Sequence, residues 1–257
     1  MKKVFFIAPV MPEGPSIVIL KEELSGFIGK KVLEVSGNAK IDLLRMKGKK
    51  ISDIQSWGKH CLISFDGFFI RIHLLMFGSY RINERKDAPP RLQLLFRNGE
   101  INFYTCSVRI VEGRTEDLYD WRTDTMSDKW SPVKAYRAVI EQKNEMICDS
   151  LLDQEIFAGV GNIIKNEVLY LAKVHPETRV KNIPEKKLKE IIKITRAYCF
   201  DFLFWKKRFE LKKNFKMHTK KTCPDCNGST TLKWTGKRDR RSFFCNKCQV
   251  KYKVKPI

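Results

Sequence analysis

Residues 222–249 read TCPDCNGSTTLKWTGKRDRRSFFCNKCQ, two CxxC pairs with eighteen residues between Cys226 and Cys245. This is the spacing of a four-cysteine zinc site. Four thiolates around one dication complete a tetrahedron and leave no open position, so the expected cofactor is a single structural Zn2+ held by Cys223, Cys226, Cys245 and Cys248. Between the pairs, residues 229–234 and 242–244 are predicted as two short strands and residues 235–241 as the turn joining them. So small a module has little core, and metal binding substitutes for one. Its tip carries Lys237, Arg238, Arg240 and Arg241 against Asp239 alone, which predicts a stiff cationic finger.

The charge of the finger extends to the whole chain. Fifty Lys and Arg against 29 Asp and Glu leave a formal +21, densest toward the C-terminus. Residues 205–221 alone hold eight cations and one acid, with Phe209, Leu211, Phe215 and Met217 interleaved, as in a phosphate-binding strip. Nucleic acid is the expected partner. An anionic membrane is the weaker alternative, because no apolar run approaches the ~20 residues that span a bilayer. With 43% hydrophobic and 31% charged residues, the 257-residue chain reads as globular and long enough for two or three small domains. Cys61, Cys106, Cys148 and Cys199 stand singly in apolar neighbourhoods, as buried free thiols do. That pattern fits a reduced intracellular setting better than a secreted disulfide framework. The opening MKKVFFIAPV mimics a signal peptide, but Pro9 interrupts it and no small-residue cleavage site follows.

Apolar residues at Ile17, Leu20, Leu24, Phe27 and Ile28 have helical spacing, with Pro15 near the start and Gly29 as the stop. Strand-like segments follow at 31–35, 51–57, 61–65, 68–73, 78–82, 91–96 and 100–105. Asp66-Gly67 and Asn98-Gly99 lie between such runs as hairpin signals. Residues 12 to about 125 therefore read as an antiparallel β-sandwich or barrel with one leading helix. After a polar connector at 114–128, helical periodicity appears at 132–143, 150–157, 162–173 and 184–205. The fold class is multidomain α+β: an N-terminal extension at 1–11, an antiparallel β-sandwich domain at 12–128, a helical domain at 129–216 and the zinc finger at 217–257.

Four features in one order carry a resemblance. They are PEGP at 12–15 with its helix, the β domain, GVGNIIKNE at 159–167, and the terminal hairpin ending CNKCQ. Together they resemble the formamidopyrimidine-DNA glycosylase and endonuclease VIII family, over nearly the whole chain from Met11 onward. The resemblance implies a helix-two-turn-helix domain in the middle. It also implies a monomeric, bifunctional DNA glycosylase and AP lyase of base excision repair, acting on damaged double-stranded DNA. Members use an N-terminal proline exposed by removal of the initiator Met, which here is Pro12. A free secondary amine attacks C1′ of the deoxyribose, whereas a proline inside a chain is a tertiary amide with no usable lone pair. Residues 1–11 are therefore expected to be an artefact of start-site choice. An α-amino group titrates near ~8, so a neutral fraction exists at neutral pH. Glu13 is placed to act as general acid toward the sugar ring oxygen and to shuttle protons through β- and δ-elimination. Its other reading is a helix N-terminal carboxylate favoured by the dipole.

The same resemblance assigns Lys59, in SWGKH, to the phosphate beside the lesion and to the catalytic set. It assigns Asn162 to backbone binding at a helix start and Arg240 to the finger contact, with Arg241 as the alternative. The segment His73-Leu-Leu-Met-Phe-Gly78 matches the family's wedge, with Met76 as plug and Leu75 and Phe77 as flanking intercalators. Four departures stand out: the N-terminal extension; Ser16 in place of a carboxylate; CSVRI at 106–110 in place of an acidic-Arg-Phe-Gly segment; and no glycine- and serine-rich covering loop between Phe202 and Lys221. The last two favour the endonuclease VIII side and oxidised pyrimidines. An oxidised-purine glycosylase and a non-catalytic binder of abasic or branched DNA stay open. A zinc-ribbon accessory protein leaves PEGP and the Asn162 segment unexplained. The expected location is cytoplasmic, on the nucleoid.

Overall fold

The computed structural model describes residues 12–253, so the extension expected at 1–11 lies outside the described residues. The chain divides into two compact units. One comprises Glu13 with Ile17–Tyr119, and the other Gly14–Ser16 with the chain from Asp120 onward.

Helix α1 (Gly14–Leu24), which lies in the first unit from Ile17 onward, leads into eight strands: β1 (Glu34–Ser36), β2 (Asp53–Trp57), β3 (His60–Phe65), β4 (Phe68–His73), β5 (Ser79–Ile82), β6 (Leu92–Phe96), β7 (Gly99–Tyr104) and β8 (Ser107–Glu112). They form two four-stranded sheets, in the orders β1-β6-β7-β5 and β2-β3-β4-β8, with every pairing antiparallel. Ile17, Leu20 and Leu24 of α1 are fully buried and join Cys61, Ile63, Ile70, Ile72, Leu92, Leu94, Ile101 and Phe103 in one core. The alternation along β6 and the helical spacing of α1 are thus the same hydrophobic demand expressed at periods of 2 and 3.6. A second layer covers the other face of β2–β4, where Tyr119 packs on Trp57 at 4.8 Å and on Phe69 at 6.0 Å between ring centres.

Three local expectations are corrected. The leading helix ends at Leu24 and continues as a 3-10 turn over Ser25–Phe27, so Gly29 closes the connection rather than the helix. Residues 107–112 form β8, a strand the segmentation above leaves out. The hairpin at Asn98-Gly99 turns on Arg97 and Asn98, because Phe96 pairs with Gly99 itself.

The second unit holds α3 (Pro132–Glu141), α4 (Ile147–Leu151), α5 (Asn162–Leu171), α6 (Glu185–Lys207) and the hairpin β9 (Thr231–Thr235) with β10 (Arg240–Phe244); a single turn, α2 (Thr115–Leu118), precedes it in the first unit. Ser131 caps α3 by accepting from the Lys134 N–H at 3.2 Å, with Pro132 in the first turn. Helix α5 is buried along almost its whole length. Along α6, Leu188, Ile191, Ile192, Thr195, Cys199 and Phe202 form the buried stripe that the periodicity gives. The helix expected at 150–157 instead spans Ile147–Leu151. Beyond it, the Asp153 carboxylate accepts from the Glu155 N–H at 3.1 Å, an Asx turn that competes with helix continuation. The four single cysteines are all buried, and burial pushes the Cys61 thiol up to about 12 and those of Cys106 and Cys148 to about 11. No helix among the described residues is long and apolar enough to cross a membrane.

Candidate nucleic-acid interface and cysteine cluster

Each unit carries its own cluster of candidate residues. In the first, Gly58 and Lys59 make the two-residue turn between β2 and β3, closed by the Trp57–His60 pair. Gly58 sits at φ +54, the left-handed conformation that such turns require at their first central residue. Lys59 is thereby held at the end of the β2-β3-β4-β8 sheet. His60 and His73 are cross-strand partners at this end, with ring centres 5.2 Å apart. Burial lowers the His60 pKa to about 3, and the charges of His73, Arg71, Lys59 and Arg109 press it the same way. His73 is lowered by burial and by Lys59 and Arg71. Both rings are therefore neutral at physiological pH inside a cationic surround, which suits a phosphate.

The chain leaves β4 at His73 and turns at once. Leu74 is buried, while Leu75, Met76 and Phe77 are 51%, 45% and 68% exposed, all three on a turn rather than in a strand. Two contacts hold this turn. The His73 Nδ1 accepts from the Leu75 N–H at 3.0 Å, and the Gly78 N–H donates to the Leu74 carbonyl at 2.7 Å. Leu75 takes φ +55, and a Cβ on Gly78 would lie 2.0 Å from the Leu74 oxygen, so only glycine closes the loop. Because Nδ1 accepts, the neutral His73 ring carries its proton on Nε2 and keeps a donor there. Sequence reading missed His73, although it opens the HLLMFG segment.

Pro12 and Glu13 precede α1. Pro12 is half-buried, and Glu13 is 1% exposed. Ser16, noted above for replacing a carboxylate, is also buried. Gly14 packs against the GVGN loop: its N–H donates to the Gly159 carbonyl at 2.8 Å, and a Cβ on it would stand 2.8 Å from the Gly159 Cα. The PEGP stretch needs its glycine for that approach.

In the second unit Gly161 caps α5 and Asn162 occupies its first turn. The Asn162 amide donates to the Arg241 carbonyl at 2.9 Å. Lys165, one turn further on and fully buried, donates to Asn162 Oδ1 (2.9 Å), the Arg241 carbonyl (3.2 Å) and Ser242 Oγ (2.8 Å). Helix α5 and strand β10 are thus joined through one ammonium group whose three N–H bonds meet three oxygens. Asn162 and Lys165 stand three residues apart on one helical face, a spacing that makes the pairing legible afterwards. Glu167 anchors the approach to the hairpin by accepting from the backbone N–H groups of Lys216, Met217 and His218 at 2.9, 2.9 and 2.6 Å. Burial raises its carboxyl, against the pull of those donors.

The cationic tip of the finger is partly paired with acids. The carboxylate of Asp149, at α4, accepts from the N–H groups of Lys237 (2.9 Å) and Arg238 (3.3 Å). Lys237 Nζ pairs with Glu145 at 2.6 Å, and Arg238 lies 3.9 Å from Asp153. Two of the four cations are paired with acids of the helical segment, and the turn is docked rather than projecting. Arg240 and Arg241, both exposed, point to opposite faces of the hairpin. Arg241 lies over the Trp234 ring at 5.8 Å, while Arg240 shares the face of Ser242 and Phe244, which is turned to α5.

Cys223, Cys226, Cys245 and Cys248 bring their sulfurs within 4.8 Å of one another. The Cys226–Cys245 and Cys223–Cys248 separations are 3.6 and 3.8 Å. A tetrahedron with zinc–sulfur bonds of about 2.3 Å has edges of about 3.8 Å, so the donor set fits a zinc ion in charge, number and size. The Cys245 N–H donates to Gln249 Oε1 at 2.9 Å and the Cys223 N–H to the Gly228 carbonyl at 2.8 Å, fixing both knuckles.

Residues 11–110 match the family described as the formamidopyrimidine-DNA glycosylase N-terminal domain, and residues 124–198 the one described as the formamidopyrimidine-DNA glycosylase H2TH domain. Over 219 residues the chain is 33% identical to Endonuclease 8-like 3 of Mus musculus, a match spanning 80% of this chain and 36% of that protein. The chain thus spans about a third of the length of the Endonuclease 8-like 3 relatives it matches. It is 26% identical to the formamidopyrimidine-DNA glycosylase of Lactobacillus helveticus (strain DPC 4571), over 95% of this chain and 100% of that one. Among solved structures, the Lactococcus lactis formamidopyrimidine-DNA glycosylase bound to DNA containing an AP site matches with a TM-score of 0.80 at 20% identity, over 92% of this chain and 99% of that one. At that identity the likeness speaks for the fold.

Proposed function

The chain belongs to the formamidopyrimidine-DNA glycosylase family, and from that premise we propose that it excises oxidised bases from duplex DNA and cleaves the strand through a covalent iminium at Pro12. Pro12, once it is the first residue of the chain, presents a secondary amine. Its lone pair attacks C1′, the glycosidic C–N bond breaks, and the base leaves with the bonding electrons. Glu13, buried beside it in sequence, protonates the sugar ring oxygen as the ring opens to the iminium. The iminium acidifies the 2′ hydrogen, so its loss expels the 3′ phosphate and a second elimination the 5′ phosphate.

The observation that carries this reading is the Leu75–Phe77 turn. Three large apolar side chains exposed beside Lys59 and the neutral His73 form a wedge next to an anion site, and a solvated surface loop has no use for them. Met76 fills the space of the extruded nucleotide, with Leu75 and Phe77 against the flanking bases, and Lys59 holds the adjacent phosphate. In the second unit Asn162 and Arg240 bind the backbone. One zinc ion at the four cysteines holds the hairpin that carries Arg240; it supplies folding energy and takes no part in the chemistry. The CSVRI segment and the absence of a glycine- and serine-rich stretch between 202 and 221 support oxidised pyrimidines as substrates. The working division is 12–128, 129–216 and 217–257, in a monomer located in the cytoplasm on the nucleoid.

Duplexes bearing thymine glycol, dihydrouracil, 8-oxoguanine or an abasic site test the reading. Faster excision of the two pyrimidine lesions and a β,δ-elimination product are expected. Preference for 8-oxoguanine overturns the substrate assignment, and binding without cleavage of any duplex favours the non-catalytic reading.

A further inference from the structure

A cavity of about 890 Å³ opens between α3 and α6, in a part of the second unit that the DNA-binding residues above do not use. Its walls are apolar: Trp130, Tyr136 and Phe200, with Val133 and Ile192 between them. Val133 and Phe200 are 59% and 42% exposed, so the groove presents apolar surface to solvent. The charges at the edge are all of one sign. Lys189, Lys193 and Arg196 border the cavity, and no Asp or Glu lines it. Lys189 is partnered by Glu185 at 2.5 Å. Neither Lys193 nor Arg196 has an ion-pair partner among the described residues; Arg196 donates to the Ser127 carbonyl at 2.9 Å, which leaves its charge uncompensated.

We propose that this groove docks an acidic segment of a partner protein, with large apolar side chains seated between α3 and α6 and flanking carboxylates meeting Lys193 and Arg196. Positions 189, 192, 193, 196 and 200 recur every three or four residues, so the binding edge of α6 is a stripe about 17 Å long. That length accepts about three turns of an amphipathic helix or a short extended peptide, in the helix-in-groove manner. The aromatic lining alone would also suit single-stranded nucleic acid, which needs open ring faces for stacking. Here the chain's own cations stand over two of the three lining rings: Lys189 Nζ lies 5.3 Å from the Tyr136 ring centre and the Arg196 guanidinium 5.2 Å from that of Phe200. An inserted aliphatic or aromatic side chain needs only the trough between the rings. The segments outside the described residues, MKKVFFIAPVM and VKPI, contain lysines and no acid, the wrong sign for this edge. A second copy brings another +21.

Selection of short peptides from a random display library against the full chain, followed by fluorescence anisotropy of the selected peptide, tests the proposal. Binders are expected to combine Asp or Glu with Phe, Trp, Leu or Ile anchors. Val133→Lys should weaken them about tenfold although it adds a positive charge, and Lys193→Glu should do the same. The exposed Lys186→Glu on the same helix makes an equal change of net charge outside the groove and should leave binding within about twofold. Binding strengthened by Val133→Lys, or weakened equally by Lys186→Glu and Lys193→Glu, would reduce the attraction to the net charge and overturn the proposal. So would displacement of the peptide by oligo-dT, or selected binders lacking the acidic-apolar pattern. Circular dichroism of each variant separates a lost groove from a lost fold.

Discussion

Replacing Asp149 by Asn sets two consequences of the structure against each other. The Asp149 carboxylate receives the N–H groups of Lys237 and Arg238 at 2.9 and 3.3 Å, and a Cβ on Gly236 would stand 2.3 Å from one of its oxygens. The turn between β9 and β10 is therefore docked on a charged acceptor. Hydrogen bonds to charged groups contribute about 1.5–3 kcal/mol each, and neutral ones about 0.5–1.5. Asn keeps one carbonyl oxygen and loses the charge, so docking of the turn should weaken by about 1–3 kcal/mol, a factor of roughly 5 to 150. Native-state amide exchange reads this at two sites. Protection of the Lys237 and Arg238 amides should fall by that factor while amides in β7, within the other unit, keep theirs. Binding to duplex DNA provides the sign test. Asp149→Asn raises the net charge by one, which by electrostatics alone tightens binding; loss of the docked turn that carries Arg240 should weaken it. Unchanged protection at both amides, or tighter binding, refutes the docking argument.

Three further outcomes follow from the geometry. Gly78→Ala places a methyl against the Leu74 carbonyl and breaks the Gly78 hydrogen bond, a strain of about 2–4 kcal/mol confined to the wedge turn. 2-Aminopurine beside the lesion should lose its extrusion signal while the melting temperature shifts by only a few degrees. The His60 ring titrates at about 3 in the folded protein and near 6.5 when unfolded. The unfolded chain therefore takes up the proton first as pH falls, and stability should decline from about pH 6.5 toward 3, by at most about 1.4 kcal/mol per pH unit for this group. Denaturant titrations across that window should show a shallower acid limb for His60→Phe. Chelation should release the finger, since the hydrophobic cluster around the thiolates is small among the described residues: Tyr170, Met217, Cys223 and Cys245, with Phe243 and Cys248 packed against it. Amide signals of β9 and β10 should collapse and return with added Zn2+, while those of the β-sandwich persist.

What the sequence displayed was local. The period of α6, the Gly58-Lys59 turn, the Asp66-Gly67 turn between β3 and β4 and the cysteine spacing all act over a few residues, and each appears where the pattern puts it. Ser107, Val108, Arg109 and Ile110 alternate polar and apolar, the pattern of a strand, and they open β8 just beyond the segments predicted above. The helix expected at 150–157 failed because Asp153 bonds to its own backbone, an option that apolar spacing does not register. Docking of the finger was invisible for a different reason. Asp149 meets Lys237 across 88 positions and Lys165 meets the Arg241 carbonyl across 76, so neither residue advertises its partner locally. Four cations around a single acid look free until the carboxylates that pair with two of them are placed by the fold.

Covalent trapping addresses the chemistry directly. Protein prepared with Pro12 as its first residue is incubated with duplex DNA carrying an abasic site in the presence of borohydride, and the adduct is digested and mapped by mass spectrometry. The account requires a reduced sugar on the Pro12 nitrogen, and no adduct when Gly or Ser precedes Pro12 and remains attached. An adduct on a lysine, or equal trapping by protein in which the Pro12 nitrogen is acylated, contradicts it.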